Sequence, residues 1–308
     1  MSHLDSTARL RPSGSGLRPS GFHQARRSSA EAAGAVPPKR FARRRTVSVV
    51  IPTQNRRGLI SRALDSVRAQ TRPPGELICV DDGSTDDTAR FVEETYPEVR
   101  VLRQANRGVS AARNAGIRAA EGELIAFLDS DDEWLERKLE RQLEAMEGSP
   151  EALLCHTNEI WIRNGRRVNP MKKHQKFGGW IFEKALPLCV ISPSSVLVDR
   201  RLFDDVGLFD ESLPACEDYD LWLRVCARFP VLFVDEPLIV KHGGHEDQLS
   251  RRHWGMDRFR IQALRKILAQ RDLPDDYRRA AEGMLARKVE IFARGAKKRV
   301  PFPESLHP

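Results

Sequence analysis

The sequence lacks the cysteine spacing of disulfide-rich and zinc-binding proteins. Its five cysteines are odd in number, include no CxxC pair and lie mostly within apolar runs. We therefore expect reduced thiols in a core, with neither a disulfide framework nor a structural zinc site. The five are Cys79, Cys155, Cys189, Cys216 and Cys226.

Long apolar runs are absent as well. No stretch approaches the roughly 20 apolar residues that a membrane-spanning helix needs. Residues 1–45 lack the apolar segment of a signal peptide and are rich in Ser, Gly, Pro and Arg. That composition is typical of a disordered leader. Together these features predict a protein that is made and kept in the cytoplasm.

Excess positive charge is confined to this leader. The chain of 308 residues has a formal net charge of +8, and residues 1–45 alone hold ten Lys or Arg against Asp5 and Glu31. The remaining chain is therefore neutral overall, and we expect no nucleic acid as a partner. A solvated leader is the simplest interpretation, and peripheral contact of the leader with acidic lipid headgroups is the alternative.

Several nucleotide-binding and hydrolase motifs are missing. There is no GxxxxGK[ST] loop, and no GxGxxG follows the first predicted strand. A P-loop enzyme or a dinucleotide-dependent dehydrogenase would need one of these two. The GxSxG elbow and the HExxH motif are absent too, which argues against the hydrolases that depend on them.

What the sequence does contain is an alternation of short apolar strands and amphipathic helices. Strands are predicted at Val47–Ile51, Glu76–Val80, Val99–Leu102 and Leu124–Leu128. This alternation predicts an α/β fold with a mostly parallel sheet and helices on both faces. Ligands of such sheets bind beyond the carboxyl ends of the strands. Polar clusters follow the first, second and fourth strands at that edge.

The pattern loosens after a helix predicted at Trp134–Glu147, and the elements that follow are less regular. Strands are predicted at Val231–Val234 and Leu238–Lys241. The helices predicted in this part are Glu217–Phe229, Met256–Gln270 and Asp275–Ala293.

Asp129, Ser130 and Asp131 directly follow the fourth strand. Two carboxylates one residue apart at a strand end suit a hard divalent cation, and Mg²⁺ typically takes one or two carboxylates plus substrate phosphates. An isolated Asp-Ser-Asp is more often a solvated loop, and Asp132 would also serve to cap the helix predicted from Trp134. Alone, this motif leaves both interpretations open.

Two further acidic clusters carry similar alternatives. Asp81–Asp86 ends the second strand, where a carboxylate can accept hydrogen bonds from a base or a ribose, or simply form a turn before a helix. Glu217–Asp220 begins a predicted helix, and acidic residues in a first turn favour the helix dipole. A carboxylate held there could also act as a general base on a hydroxyl group.

Taken together and in order, seven stretches resemble family 2 of the glycosyltransferases, which has the GT-A fold. The stretches are Val47–Asn55, Val80–Asp86, Asn106–Gly116, Phe127–Trp134, Ser194–Val198, Gly207–Glu211 and Glu217–Arg224. The resemblance implies a Rossmann-like, mostly parallel sheet with a small acceptor-side subregion. It divides the chain into a leader (1–45), a GT-A catalytic domain (46–250) and a helical C-terminal extension (251–308).

The resemblance also implies roles for the matching residues on the nucleotide side. Pro52 and Thr53 would border the nucleobase, and Asp82 would contact it. Arg113 would lie near the nucleotide or its phosphates. Asp129, with Ser130, would bind the nucleotide sugar.

Metal and catalytic roles follow from the same resemblance. Asp131, with Asp129, would hold Mn²⁺ or Mg²⁺. His245, preferred to His242, would be a further metal ligand. Asp218 would be the general base, with Glu217 helping to place the acceptor. The acceptor would contact the irregular basic segment around 163–182.

The implied reaction is inverting transfer of a sugar from a nucleoside diphosphate, with UDP favoured, to a hydroxyl of a saccharide or lipid-linked acceptor. Polysaccharide or glycolipid assembly at the inner face of a membrane is the implied setting. A nucleotidyltransferase and a non-catalytic sugar-nucleotide-binding protein are the alternatives. A glycoside hydrolase would also use two carboxylates, but it would need neither the Asp-Ser-Asp motif nor Asp82.

Overall fold

The computed structural model describes residues 45–244, 253 and 255–297, which belong to one compact unit, Arg44–Pro308. Within these residues nine strands form one sheet. The strands are β1 (Val47–Thr53), β2 (Glu76–Asp82), β3 (Arg100–Gln104), β4 (Leu124–Phe127), β5 (Glu133–Trp134), β6 (Leu154–Arg163), β7 (Arg166–Val168), β8 (Leu197–Asp199) and β9 (Leu232–Gly243). The helices are α1 (Ile60–Arg68), α2 (Thr88–Thr95), α3 (Val109–Ala119), α4 (Lys138–Glu147), α5 (Phe182–Ala185), α6 (Arg201–Val206), α7 (Glu217–Cys226), α8 (Asp257–Leu268) and α9 (Asp275–Lys297).

The first half of the sheet is parallel, in the order β3–β2–β1–β4. β1 is buried at all seven positions, because helices cover both of its faces. Val49 and Ile51 share one apolar core with Ile60 of α1, whereas Val50 belongs to the core on the opposite face. There α3 approaches so closely that a Cβ on Gly116 would lie 2.2 Å from Val50 Cγ1. The parallel sheet with helices on both faces is thus confirmed.

Beyond β4 the sheet becomes mixed, continuing in the order β8–β6–β9–β5. β8 is antiparallel to both β4 and β6, and β6 is parallel to β9. The ends of β1, β2, β4 and β9 consequently point to the same side of the sheet. This common edge brings together polar residues from distant parts of the sequence.

Two predicted elements differ from the observed ones. The strands predicted at Val231–Val234 and Leu238–Lys241 are one continuous strand, β9, whose register shifts where Asn158 lies opposite Pro237. Proline has no N–H for the ladder, so it produces a local irregularity that resembles a strand end in the sequence. The helix predicted from Trp134 begins at Lys138 instead, because Glu133 and Trp134 pair with β9.

The C-terminal helices α8 and α9 lie where the sequence predicts them. Leu264 and Ile267 of α8 are buried in the same core as Trp222 of α7, so this helix packs against the element that begins with Glu217. No helix within residues 45–244 and 255–297 has the length and apolar character needed to cross a bilayer. The division into a 46–250 domain and a 251–308 extension stays a prediction.

Candidate functional site

A cleft of about 740 Å³ opens at the carboxyl edge of the sheet. Residues at the ends of β1, β2, β4 and β9 and at the start of α7 line it. The structure brings together nearly all residues that the sequence analysis singled out; His245 lies outside the described residues. Those that line the cleft are Pro52, Thr53, Asp82, Arg113, Asp129, Ser130, Asp131, Glu217 and Asp218.

The side-chain carboxylate of Asp82 organises one wall of the cleft by accepting three hydrogen bonds. Its Oδ1 accepts hydrogen bonds from Gln104 Nε2 (2.7 Å) and the backbone N–H of Arg107 (2.8 Å). Its Oδ2 accepts one from the N–H of Gly108 (2.8 Å). A carboxylate offers about four acceptor positions, so three hydrogen bonds leave Oδ2 able to accept one more from a ligand.

Two hydroxyl groups of the same wall are buried. Within the described residues, Thr53 Oγ1 and Ser110 Oγ have no hydrogen-bond partner, and both residues line the cleft. A buried polar atom without a partner costs about 1–3 kcal/mol. A polar ligand that reaches these hydroxyls would relieve that cost.

Arg113 connects two of the acidic clusters. Its guanidinium donates to Asp129 Oδ1 through Nη2 and to Glu217 Oε1 through Nη1, both at 2.7 Å. The side chains of Arg113 and Glu217 are 4% and 5% exposed and that of Asp129 is 26% exposed, so this largely buried ion triad ties the end of β4 to the start of α7. Burial opposes the positive charge, but the two carboxylates raise the pKa of Arg113 above its ordinary value.

The Asp-Ser-Asp segment is held on both sides. Arg62 Nη2 donates to the backbone carbonyl of Asp131 at 2.6 Å. Asp132 caps no helix; its Oδ2 accepts from Ser194 Oγ (2.7 Å) and its Oδ1 from the N–H of His242 (3.1 Å). Burial raises the pKa of Asp132 to about 8 despite the nearby positive charge of Lys241. The carboxylate of Asp131 is thus placed at the cleft by a fixed loop.

A divalent ion implied by the resemblance can be tested against these residues. Among the described residues, no three His, Cys, Asp or Glu side chains form a group that could hold a metal ion alone. Asp129 is engaged by Arg113, while Asp131 lines the cleft beside it. The arrangement fits an ion that takes one or two carboxylates and completes its shell with phosphate oxygens of a ligand.

Asp218 lies in the first turn of α7, at the cleft. Its Oδ1 accepts the N–H of Tyr219 (2.7 Å), and its Oδ2 is 3.3 Å from Cys189 Sγ. The neighbouring Glu217 is buried, and burial together with the charge of Asp218 raises its pKa even though Arg113 opposes the shift. Asp218 is only half-buried, so of the two carboxylates it is the one open to the cleft.

Lys241 is a cleft residue that the sequence analysis did not single out. Burial disfavours its charge, but Glu159, Asp132, Asp129 and Asp218 raise the pKa of Lys241 above its usual range. It therefore supplies a positive charge among the cleft carboxylates. A signal was present, because the strand predicted at Leu238–Lys241 ends at this residue, but no role was given to it.

Glu159 anchors this lysine from behind the cleft. It is 7% exposed, forms an ion pair with Lys176 Nζ at 3.0 Å and accepts from Ser192 Oγ at 2.7 Å. Ser192 Oγ in turn accepts from Lys241 Nζ at 3.2 Å. Although burial would raise it, the charges of Lys176 and Lys241 lower the pKa of Glu159 from 4.5 to about 2.

We expect Glu159→Gln to destabilise the protein at neutral pH by roughly 3 kcal/mol, at about 1.4 kcal/mol per pKa unit. The ionised carboxylate of Glu159 stabilises the folded state above pH 4.5, and this contribution is lost as the pH falls toward 2. Urea unfolding should therefore show a large difference at pH 7 and a smaller one at pH 3. Glu151→Gln, at an exposed site, is the control, and an equal difference at both pH values would contradict this assignment.

Comparison with known proteins decides the family. The sequence model described as "Glycosyl transferase family 2" matches residues 48–207, just over half of the chain. The chain belongs to glycosyltransferase family 2. The resemblance stated from the sequence is thus confirmed.

Individual relatives of this glycosyltransferase differ in length. TuaG of Bacillus subtilis, a glycosyltransferase assigned to teichuronic acid biosynthesis, is 43% identical over 184 residues, 58% of this chain and 71% of that protein. The UDP-Glc:alpha-D-GlcNAc-diphosphoundecaprenol beta-1,3-glucosyltransferase WfgD of Escherichia coli is 35% identical over 182 residues, 58% and 69%. An uncharacterised glycosyltransferase of Rickettsia bellii is 33% identical over 192 residues, 62% of this chain and 28% of that protein. The chain thus spans only about a third of the length of some curated relatives.

Solved structures establish the fold of the enzyme. TarS of S. aureus in complex with UDP-GlcNAc has a TM-score of 0.64 at 22% identity, covering 79% of this chain and 71% of that one. The mannosyltransferase PcManGT of Pyrobaculum calidifontis, in complex with GDP-Man and Mn²⁺, has a TM-score of 0.60 at 20% identity, covering 85% and 77%. The glycosyltransferase has the GT-A fold, as predicted.

Proposed function

We propose that this family 2 enzyme transfers a sugar, with inversion, from a nucleoside diphosphate to an acceptor hydroxyl. The observation that carries the proposal is that Asp82, Asp131 and Asp218 line a single cleft although they lie far apart in the sequence. Asp82 would contact the nucleotide, Asp131 the diphosphate-bound cation and Asp218 the acceptor. A hydrolase would have no use for the first two.

The donor base would lie against Pro52 and Thr53, with Asp82 beside it. The remaining acceptor position on Asp82 Oδ2 suits a ring N–H such as that of uracil, and the hydroxyls of Thr53 and Ser110 can supply further hydrogen bonds. UDP is therefore our preferred donor nucleotide. Its support among similar proteins is that WfgD is named for UDP-Glc and the TarS structure holds UDP-GlcNAc.

Asp131, with Asp129, would hold Mn²⁺ or Mg²⁺ against the diphosphate, and His245 remains a proposed additional ligand. A divalent cation in this position supplies neutralisation of the charge that develops on the leaving diphosphate. Arg113 keeps Asp129 in place from the protein side. Lys241 adds a second positive charge to the same region.

Asp218 would accept the proton of the acceptor hydroxyl. The oxygen would attack the anomeric carbon on the side opposite the diphosphate, forming one C–O bond while the bond to the diphosphate breaks. That in-line displacement inverts the anomeric configuration. Glu217, fixed by Arg113, would position the turn that carries the base.

We further propose a cytoplasmic enzyme of polysaccharide or glycolipid assembly, with residues 46–250 as the catalytic domain and 251–308 as a helical extension. WfgD and TuaG carry names from such pathways. The acceptor would be a saccharide or a lipid-linked saccharide. It would approach along the basic segment 163–182, whose first residue, Arg163, pairs with Gly243 just beyond the cleft residues Lys241 and His242.

A thermal-shift screen of UDP, GDP, dTDP and CMP, each with and without Mn²⁺, tests the donor site. We expect UDP with Mn²⁺ to raise the melting temperature most, since a ligand at 100 times its Kd stabilises by about 2.7 kcal/mol. Asp131→Ala should remove the part of the shift that depends on Mn²⁺ and retain a weaker shift with UDP alone. Asp205→Ala, at an exposed position, is the matched control.

Stabilisation by GDP or dTDP in place of UDP would correct the donor. The absence of any nucleotide effect on the unaltered protein would contradict the proposed function as a whole.

A further inference from the structure

The hairpin of β6 and β7 projects from the rim of the cleft. Its two-residue loop is Asn164-Gly165, with φ values of 49° and 72°, the positive values that a type I′ turn requires. The N–H of Asn164 donates to the carbonyl of Gly243 at 3.2 Å. Lys241 and His242, just before Gly243, line the cleft, so the hairpin is fixed directly beside it.

One face of this hairpin gathers cationic side chains. Arg163 and Arg166 are cross-strand partners and therefore lie on the same face as Trp161, two residues earlier. The rings of Trp161 and His174 are 4.8 Å apart, which places the short 3₁₀ turn Lys172–His174 over that face. Burial and then the charges of Lys173 and Lys176 lower the pKa of His174, and Arg163 contributes as well.

These cations are unbalanced. Residues 160–182 contain no Asp or Glu. Five of their basic side chains, Arg163, Arg166, Arg167, Lys172 and Lys173, are exposed, and within the described residues none of the five forms an ion pair. Arg167 pairs with Ile162 and so lies on the opposite face of the hairpin from Arg163 and Arg166. Met171, next to them, is 60% exposed, among the most exposed of the large apolar residues described. We call this surface the hairpin patch: Arg163, Arg166, Met171, Lys172 and Lys173.

Unpaired cations around an exposed apolar side chain are the chemistry of an interfacial membrane site. Basic residues are attracted to anionic headgroups, and a flexible thioether can enter the boundary between headgroups and acyl chains. A soluble polyanion would satisfy the charges but would leave Met171 in water. The amphipathic composition of the hairpin patch therefore favours a lipid surface.

We propose that the hairpin patch docks the enzyme on a bilayer of anionic lipids. Docking there would turn the rim of the cleft toward the headgroups, where a lipid-borne acceptor would be within reach. The residues of the hairpin patch are different from the basic residues that the sequence holds at 1–45. The binding does not depend on the donor nucleotide or on turnover, so it is tested independently of the proposed function.

Vesicle co-sedimentation of the full chain is the test. The vesicles contain either phosphatidylglycerol with phosphatidylcholine or phosphatidylcholine alone. The quadruple variant R163Q/R166Q/K172Q/K173Q should bind anionic vesicles at least tenfold more weakly at 0.1 M salt, about physiological screening. The matched control loses four exposed arginines elsewhere and should change binding less than twofold; its substitutions are R265Q, R271Q, R279Q and R287Q.

Met171→Ser, which alters no charge, should weaken vesicle binding severalfold and leave binding to soluble polyphosphate unchanged. That result separates a lipid surface from a polyanion site. Equal losses in the two quadruple variants would overturn the proposal, since net charge alone would then explain binding. A Met171→Ser protein with unchanged vesicle binding would overturn it too. If the quadruple patch variant does not fold, R163Q/R166Q and K172Q/K173Q replace it, each with a two-arginine control.

Discussion

Asp218→Asn is expected to lower the rate of sugar transfer by about 10²- to 10⁴-fold, the usual contribution of a general base. The amide keeps the size of the side chain and can still lie against Cys189 and the N–H of Tyr219. It cannot take the proton of an attacking hydroxyl. Release of UDP from a UDP-sugar measures the rate, with water as the acceptor when no saccharide is supplied.

The same variant separates an enzyme from a binding protein that has kept the fold. Nucleotide-induced stabilisation should be the same in Asp218→Asn and in the unaltered chain, because Asp218 is assigned to the acceptor side. Asp205→Asn, on the exposed surface of α6, controls for the loss of one carboxylate. If Asp218→Asn transferred sugar at the unaltered rate, Asp218 would not be the general base.

The parallel half of the sheet could be predicted because three of its four strands, β1, β2 and β4, are short, apolar and almost wholly buried, whereas the edge strand β3 is more exposed. β1 is an example, since seven consecutive buried residues leave little ambiguity between strand and loop. The positions of Asp82 and Asp131 follow from the same pattern. Each comes where a buried strand ends, and the ends of parallel strands share one edge.

The mixed half of the sheet was harder to predict. Local sequence does not reveal where pairing with a neighbouring strand carries a strand past an irregular residue. Pro237 interrupts the hydrogen-bonding pattern of β9, yet the long pairing with β6 carries the strand past it. Trp134 has the spacing of a helical residue, but pairing with Ile239 places it in a strand. In both places tertiary contacts override the local signal.

Side-chain partners were the least predictable feature of the cleft. Family resemblance assigned Asp82 to a base and Arg113 to phosphates, yet the structure shows Asp82 also holding the backbone at Arg107 and Gly108. It shows the two terminal nitrogens of Arg113 each paired with a carboxylate, one of them 104 residues away. Such pairings depend on the approach of α3 to α7, which no spacing within either helix encodes.

Arg113→Met is expected to lower the free energy of unfolding by about 3–5 kcal/mol, the usual cost of removing one partner from a buried ion pair. Glu217 would lose the guanidinium that pairs with it, and Asp129 would keep only the positive charge of Lys241. Although burial raises it, Arg113 lowers the pKa of Asp129; that stabilisation exists at neutral pH and is lost in acid. The deficit of the variant should therefore be largest near pH 7 and smaller near pH 3, below the ordinary aspartate pKa of 3.8, as measured by urea unfolding.

A second substitution tests whether the uncompensated charge is the cause. Glu217→Gln in the Arg113→Met background removes one of the two stranded carboxylates, so the double variant should be more stable than Arg113→Met alone. Arg118→Met, at an exposed position of the same helix, should change stability by no more than about 0.5 kcal/mol. If the two losses simply added in the double variant, Arg113 would act through packing instead. Packing contacts of the Arg113 side chain, and not its charge, would then hold the start of α7 to the end of β4.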